Sequence, residues 1–153
     1  MFGRVSVSCA AFVLGVLIPL LEVNGTHLFN SQWPAHARLH EAWQLLTNSA
    51  LSLICLWLAW GRSAERLASA ILLASTGSFL VAFALRGAYG GSMKHADGSE
   101  LLVAGTNPAF GIMVLISLLL SATLVRGSGI PFRWRGGSRP AGEARSPGLG
   151  DEV

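Results

Sequence analysis

Four long blocks of apolar residues, none with an internal Asp, Lys or Arg, constrain this chain more than any other feature. A helix needs about 20 apolar residues to cross the hydrocarbon core of a bilayer, and it satisfies its own backbone there. The sequence therefore predicts an all-α bundle of four transmembrane helices, which occupies residues 1–126. The blocks run from Val5 to Val23, from Ala42 to Trp60, from Leu67 to Leu85 and from about Thr106 to Val125.

The overall composition agrees with a membrane protein. Of the 153 residues, 52% are hydrophobic and 12% are charged, whereas about a quarter of the residues in a soluble domain are charged. This balance argues against a soluble enzyme, a secreted disulfide module and a disordered linker. Cys9 and Cys55 both lie inside apolar blocks, so they predict neither a disulfide framework nor a metal-binding CxxC motif.

The positive charges are divided unevenly between the two predicted sides of the membrane. Short cytoplasmic segments are enriched in Lys and Arg. A cytoplasmic N-terminus places Arg38, Arg86 and Lys94 outside and the other eight cationic residues inside. The distribution therefore predicts that both termini are cytoplasmic, in the inner (plasma) membrane. One Lys against ten Arg, with abundant Ala and Gly, is typical of a GC-rich bacterium.

The segment 127–153 is rich in Gly, Pro, Ser and Arg. It cannot bury enough apolar surface to fold, so it is predicted to be a disordered cytosolic tail. The tail carries four of the eleven Lys and Arg residues, and the basic pI of about 9.5 does not indicate a nucleic-acid partner. The predicted partners are the lipid bilayer, a hydrophobic small molecule, and a second copy of the chain or another membrane protein.

Small residues recur at four-residue spacing in two of the predicted spans. Membrane helices pack closely through small side chains, so we expect both stripes to face neighbouring helices. Pro19 is expected to kink the first helix. The stripes consist of Ala11, Gly15 and Pro19 in the first span, and of Ala70, Ala74, Ser78 and Ala82 in the third.

Polar residues concentrate on the predicted outer side, where all four histidines lie. If a helix begins at Pro34 and continues into the second span, His36, His40, Gln44 and Asn48 share one face at four-residue spacing. Polar side chains in lipid normally face a bundle interior, so this stripe predicts an outward-opening pocket. In the fourth span, Thr106 or Asn107 is predicted to cap the helix.

These side chains suit acid–base chemistry on a hydrophobic small molecule. Histidine can transfer a proton near neutral pH, and amides can hold a substrate carbonyl or hydroxyl. The pattern predicts an isomerase or cyclase activity that needs no cofactor. The predicted catalytic residues are His36 and His40 as proton carriers, with Glu41 and Glu22 tuning them; the predicted substrate-binding residues are Gln44, Asn48, Asn107 and Trp33.

Other interpretations of the same residues stay open. His36, Arg38 and His40 would also form an interfacial collar that contacts lipid headgroups. Histidines four residues apart can share a metal ion, with Glu22, His27 or His95 completing the ligand set. The chain as a whole would also suit a non-catalytic membrane accessory subunit, or a redox protein linked to a quinone or a metal.

The segment from Trp33 to His40, with the sequence WPAHARLH, resembles a motif of small four-helix membrane proteins of the DoxX-like and EXPERA-like (emopamil-binding) type. The resemblance implies a pocket for a sterol-like, terpenoid or polyketide molecule, in which acidic and histidine side chains move a proton. This chain departs from that pattern, because its second span has no internal carboxylate. The resemblance therefore supports the architecture, and we transfer no catalytic residue from it.

Overall fold

The computed structural model describes residues 1–94 and 98–126. Within these residues the chain forms four helices and no strand, as the apolar blocks predict. Each helix is long and apolar enough to cross a membrane, which indicates a multi-pass membrane protein. His95 and the predicted tail 127–153 lie outside the described residues. The helices are α1 (Phe2–Glu22), α2 (Ala35–Gly61), α3 (Glu65–Tyr89) and α4 (Pro108–Arg126).

Local sequence signals account for the ends of the helices. α2 begins at Ala35, well before the apolar block at Ala42, because Pro34 has an extended backbone that suits the residue before a helix. α3 ends at Tyr89, where Gly90 adopts a left-handed conformation with φ of 71°. Glycine takes this conformation without a steric penalty, so it commonly terminates helices.

The core lies where α1 and α3 meet, since each of them packs against the three other helices. Ser117 Oγ of α4 donates a buried hydrogen bond to Thr76 Oγ1 of α3 over 2.9 Å. Many large apolar side chains lie on the outside of the bundle and are exposed. An apolar surface of this kind is suited to contact with the lipid of a bilayer. The buried apolar residues include Val7, Ala10 and Leu14 of α1, Cys55 and Ala59 of α2, Ala68 and Leu72 of α3, and Ile116 and Leu120 of α4.

A π-helical turn over Val13–Leu17 interrupts α1 immediately before Pro19. Proline has no N–H to donate to the carbonyl four residues earlier, and its ring would clash with that carbonyl. The carbonyl concerned belongs to Gly15, and Ser49 Oγ of α2 donates to it over 3.1 Å. At Pro19 the helix therefore widens locally and receives a hydrogen bond from its neighbour; the kink at Pro19 stays a prediction.

The two stripes of small residues behave differently. In α1, Gly15 packs so closely on α2 that a Cβ atom added there would lie 2.7 Å from Ser52 Cβ. In α3 the expectation is wrong, because Ala70 and Ala74 are exposed while Ser69 and Leu72 are buried. Small residues permit close packing on either face, so the direction in which they point depends on what the rest of the helix buries.

One end of the bundle gathers arginines and aromatic rings, and we call it the arginine end. Arg4 Nε lies 2.9 Å from Glu65 Oε1, and its guanidinium stacks 5.4 Å from the centre of the Trp60 ring. Arg126 lies 4.2 Å from the ring of Phe2 in the same way. The opposite end carries Glu22, the α1–α2 loop and the histidines, and we call it the histidine end.

Replacement of Gly15 by alanine should destabilise the protein, because the new methyl group overlaps Ser52. We expect a loss of about 1–3 kcal/mol in the free energy of unfolding, as for other overpacked sites. The measurement is thermal unfolding in detergent. The double variant Gly15→Ala/Ser52→Gly should recover most of the loss. Gly111→Ala is the matched control, since open space surrounds Gly111; equal effects at both glycines would contradict the close crossing.

Candidate functional site

The loop between α1 and α2 is organised by the side chain of Asn24. Its Oδ1 atom accepts hydrogen bonds from Thr26 N at 2.7 Å and from His27 N at 3.1 Å. Such a turn around an asparagine oxygen reverses the chain within a few residues. The reversal brings His27 back over the end of α1, where the Leu28 amide donates to Glu22 O over 3.1 Å.

A second asparagine, Asn30, closes the loop. It is buried, with 7% of its surface exposed. Its Nδ2 donates to Thr26 O over 3.0 Å, and its Oδ1 accepts from Gln32 N over 2.9 Å. Both ends of the amide are therefore used to hold the loop, which places Trp33 just before α2.

The loop places an acid and a base side by side. His27 Nε2 lies 3.3 Å from Glu22 Oε2, and both side chains are about three-quarters buried. The ring of Trp33 meets that of His27 in an edge arrangement, with 6.1 Å between the centroids. The carboxylate contacts Nε2 of the imidazole, and Thr26 Oγ1 lies 3.0 Å from Nδ1, so both ring nitrogens have partners and the orientation of His27 is set from both sides of the ring.

The Glu22–His27 pair lies in the wall of a cavity of about 780 Å³ between the helices at the histidine end. We refer to it as the cavity. Its volume is in the range of sites for drug-sized molecules. The apolar part of its wall comes from all four helices, and the polar part from the end of α1, the α1–α2 loop, α2, α3 and the segment that follows α3. The apolar residues are Leu14, Ile18, Leu45, Phe79, Ala82, Met93, Ala109 and Met113; the polar ones are Glu22, Thr26, His27, Trp33, Glu41, Gln44, Asn48, Ser75, Ser78, Ser92 and Lys94.

The deeper polar groups of the cavity belong to α2 and α3. Ser75 Oγ donates to Asn48 Oδ1 over 3.0 Å, which joins the two helices. Asn48 follows Glu41 by two turns, so it lies about 10 Å further along the helix axis. A molecule in the cavity would therefore meet charged groups near Glu41 and an amide and hydroxyl pair near Asn48.

The structure separates the predicted polar stripe of α2 into two groups. Gln44 and Asn48 line the cavity, whereas His36 and His40 do not line it and are exposed. Four residues turn an α-helix by about 40° more than one full turn. Between His36 and Asn48 this drift accumulates to about 120°, so a strict four-residue spacing does not stay on one face. The proposed role of the two histidines as proton carriers stays a prediction.

The other predicted site residues are placed as follows. Glu22, Glu41 and Trp33 line the cavity. Asn107 caps α4, as predicted, with Oδ1 accepting from Ala109 N at 3.0 Å. Its Nδ2 donates to Glu100 Oε1 over 3.2 Å, so its amide serves the entry to α4. Asn107 does not line the cavity, and its substrate-binding role stays a prediction.

No group of three His, Cys, Asp or Glu side chains converges as metal ligands anywhere in residues 1–94 and 98–126. In particular, Glu22 and His27 pair with each other in the cavity wall and do not complete a ligand set for His36 and His40. The predicted participation of His95 lies outside the described residues.

The sequence did not predict that His27 would line the cavity. The available signal was the turn-forming pair Asn24–Gly25 between Glu22 and His27, since such a turn reverses the chain and returns a residue to the preceding helix end. Ser75 and Ser78 of α3 were also missed as site residues. Hydroxyl groups in a membrane helix can satisfy themselves on their own backbone, so only the structure identifies those that face the cavity.

Comparison with protein-family models, with curated proteins and with solved structures finds no match to this chain. The site is therefore interpreted from its own geometry.

Replacement of Asn24 by alanine should loosen the loop that holds His27. Two amides, those of Thr26 and His27, lose their acceptor, which costs about 1 kcal/mol in local stability and speeds amide hydrogen exchange roughly fivefold. The measurement is hydrogen exchange of the loop peptide followed by mass spectrometry. Ser31→Ala, at an exposed position in the same loop, is the control. Unchanged exchange in Asn24→Ala would show that Asn24 does not organise the loop.

Proposed function

We propose that this chain is an integral membrane protein that takes up a hydrophobic small molecule in the cavity and catalyses a proton transfer on it. The observation that carries the proposal is the close pair of Glu22 and His27 in the wall of a cavity lined by both apolar and polar side chains. An acid–base pair next to an apolar surface suits a water-insoluble substrate with one reactive polar region.

The lining supports a substrate with polar groups at one end. Leu14, Phe79 and Met113 supply an apolar surface for a hydrocarbon body. Glu41 and Gln44 offer hydrogen-bonding groups nearer the histidine end. The substrate would therefore lie with its polar end towards the loop and its hydrocarbon body between the helices, as amphipathic molecules do in a bilayer.

The chemistry would depend on His27. An imidazole exchanges protons near neutral pH, and a hydrogen-bonded carboxylate fixes its orientation for general acid–base catalysis. Double-bond isomerisation adds a proton at one carbon and removes a proton from another, so His27 would donate one proton and take up the other, which returns the site to its starting state. This assignment replaces His36 and His40 by His27 as the proposed proton carrier, while Glu22 keeps the tuning role and Asn48 the substrate-binding role.

The resemblance to DoxX-like and EXPERA-like (emopamil-binding) membrane proteins supports the same class of substrate, namely sterol-like, terpenoid or polyketide molecules. It concerns the architecture and the segment that begins at Trp33. Trp33 itself lines the cavity beside His27, so the segment that carries the resemblance also borders the proposed site.

Occupancy of the cavity can be tested with diazirine-bearing analogues of farnesol and of a sterol. In membranes that contain the protein, photolysis should label peptides from the cavity wall. Ala82→Trp fills the cavity and should reduce labelling several-fold. Ala84→Trp, on an exposed part of the same helix that does not line the cavity, should not. Equal labelling of the two variants would contradict binding in the cavity.

The same variants allow the proton transfer to be tested. The purified protein is incubated in D₂O with an apolar extract of the cells that produce it, and deuterium uptake into individual compounds is followed by mass spectrometry. We expect uptake with the wild-type protein, and a loss of at least about 100-fold in His27→Gln, as for other general acid–base groups. His36→Gln serves as the control. Labelling without deuterium uptake would support the alternative of a non-catalytic accessory protein.

We further propose that the protein lies in the inner (plasma) membrane of a bacterium with both termini in the cytoplasm. The grouping of Arg4, Arg62, Arg66 and Arg126 at one end supports this orientation, since cytoplasmic loops are enriched in such residues. The cavity would then open towards the extracytoplasmic side.

The orientation can be tested with single cysteines in a Cys9→Ala/Cys55→Ala background. A membrane-impermeant maleimide applied to intact cells should label Ser31→Cys, in the α1–α2 loop. It should label Ser63→Cys, between α2 and α3, only after the cells are permeabilised. The reverse pattern would place the cavity on the cytoplasmic side.

A further inference from the structure

The two histidines outside the cavity face each other at the start of α2. His36 Nε2 and His40 Nε2 lie 3.0 Å apart. Their rings are nearly perpendicular, with an interplanar angle of 82° and 4.4 Å between the centroids. Both side chains are exposed, and Glu41, on a different face of the helix, lines the cavity instead. The pair therefore presents two imidazole nitrogens at one point of the outer surface.

We propose that His36 and His40 form a chelating site for a divalent transition-metal ion, and that Cu²⁺ binds there more tightly than Ni²⁺ or Zn²⁺. The proposal is independent of the function assigned to the cavity, because the two sites share no residue. Within residues 1–94 and 98–126 no third His, Cys, Asp or Glu joins the pair, so water completes the coordination.

The separation of the two nitrogens favours this choice of metal. With metal–nitrogen bonds of about 2.0–2.1 Å, two nitrogens 3.0 Å apart subtend an angle of about 91–97° at the ion. Adjacent ligands of a square-planar or tetragonal ion meet at this angle, and such geometry is typical of Cu²⁺ and Ni²⁺. A tetrahedral Zn²⁺ site needs a wider separation of about 3.3 Å. Intrinsic affinity also increases from Ni²⁺ to Cu²⁺.

The position along the helix makes the pair accessible to an aqueous ion. α2 has 27 residues and is about 40 Å long, whereas the hydrocarbon core of a bilayer is about 30 Å thick. Trp57 and Trp60 lie at the other end of α2, where aromatic side chains commonly mark the membrane interface. The first two turns of α2, which carry His36 and His40, therefore project beyond the hydrocarbon core.

The helix also prepares the pair for binding. Residues four apart lie on neighbouring turns, so α2 holds both rings with little further loss of freedom. Binding requires that both Nε2 lone pairs point at the ion, with the ring protons on Nδ1. The ion then replaces the hydrogen bond that the two rings can share in its absence. The ring of Trp43 lies 5.9 Å from that of His40 and provides an optical signal next to the site.

The test uses the full-length protein without a polyhistidine tag, titrated in detergent with Cu²⁺, Ni²⁺ and Zn²⁺ as chloride salts. We expect one Cu²⁺ to bind per chain at this site and to quench part of the tryptophan fluorescence. Trp43→Phe should remove most of the quenching without changing the stoichiometry, which calorimetry measures. His36→Ala and His40→Ala should each weaken Cu²⁺ binding at least about tenfold, because a single imidazole loses the advantage of chelation.

The matched control keeps the number of histidines and changes only their spacing. In the variant His36→Ala/Leu39→His the two histidines are adjacent in sequence and do not face each other on the helix, so Cu²⁺ binding should fall as in His36→Ala. Circular dichroism confirms that each variant keeps its helices. Equal Cu²⁺ affinity in this variant and the wild type would overturn the proposal, as would the absence of stoichiometric binding to the wild type.

Discussion

The hydrogen bond from Ser49 Oγ to the Gly15 carbonyl supports the architecture of the histidine end. Pro19 cannot donate to that carbonyl, and the hydrocarbon core of a bilayer contains no water that would replace the missing donor. The hydrogen bond requires α1 and α2 to lie in close contact, which only the absence of a side chain at Gly15 allows. The π-helical turn that accompanies it carries Leu14 and precedes Ile18, and both residues line the cavity. Pro19, the close contact of α1 and α2 and two residues of the cavity wall therefore lie within one short stretch of α1.

The two ends of the bundle hold their ionisable side chains in different ways. At the arginine end, Arg4 pairs with Glu65 and stacks on Trp60, so the charge is held at the surface by groups that belong to three different helices. At the histidine end, Glu22 and His27 pair with each other in the cavity wall, where both side chains are about three-quarters buried. Polar groups in a partly buried site need hydrogen-bond partners. Asn24 and Asn30 supply the rigid loop that makes this arrangement possible.

α2 presents different chemistry on two of its faces. Glu41, Gln44 and Asn48 face the cavity, whereas His36 and His40 face outwards and point at each other. The four-residue spacing in the sequence suggested a single stripe, yet the drift of about 40° at each step moves the ends of such a stripe to separate faces.

The general fold was predictable, because hydrophobic blocks of membrane-spanning length and the turn signals at Pro34 and Asn107 are local properties. The composition of the site was predictable only in part, because His27 and Ser75 reach it through loop geometry and helix rotation.

The amino-acid sequence alone determined the number of helices, their approximate bounds and the grouping of arginines at one end, since these depend on the transfer of local segments from water to lipid. Tertiary structure decided which face of each helix is buried. It turned Ala70 and Ala74 of α3 outwards, brought Ser49 to the Gly15 carbonyl, and folded His27 back onto Glu22. The reason is physical: in lipid the hydrophobic effect does not distinguish one apolar face from another. The choice among faces therefore rests on close packing and on interhelical hydrogen bonds, which depend on several helices at once.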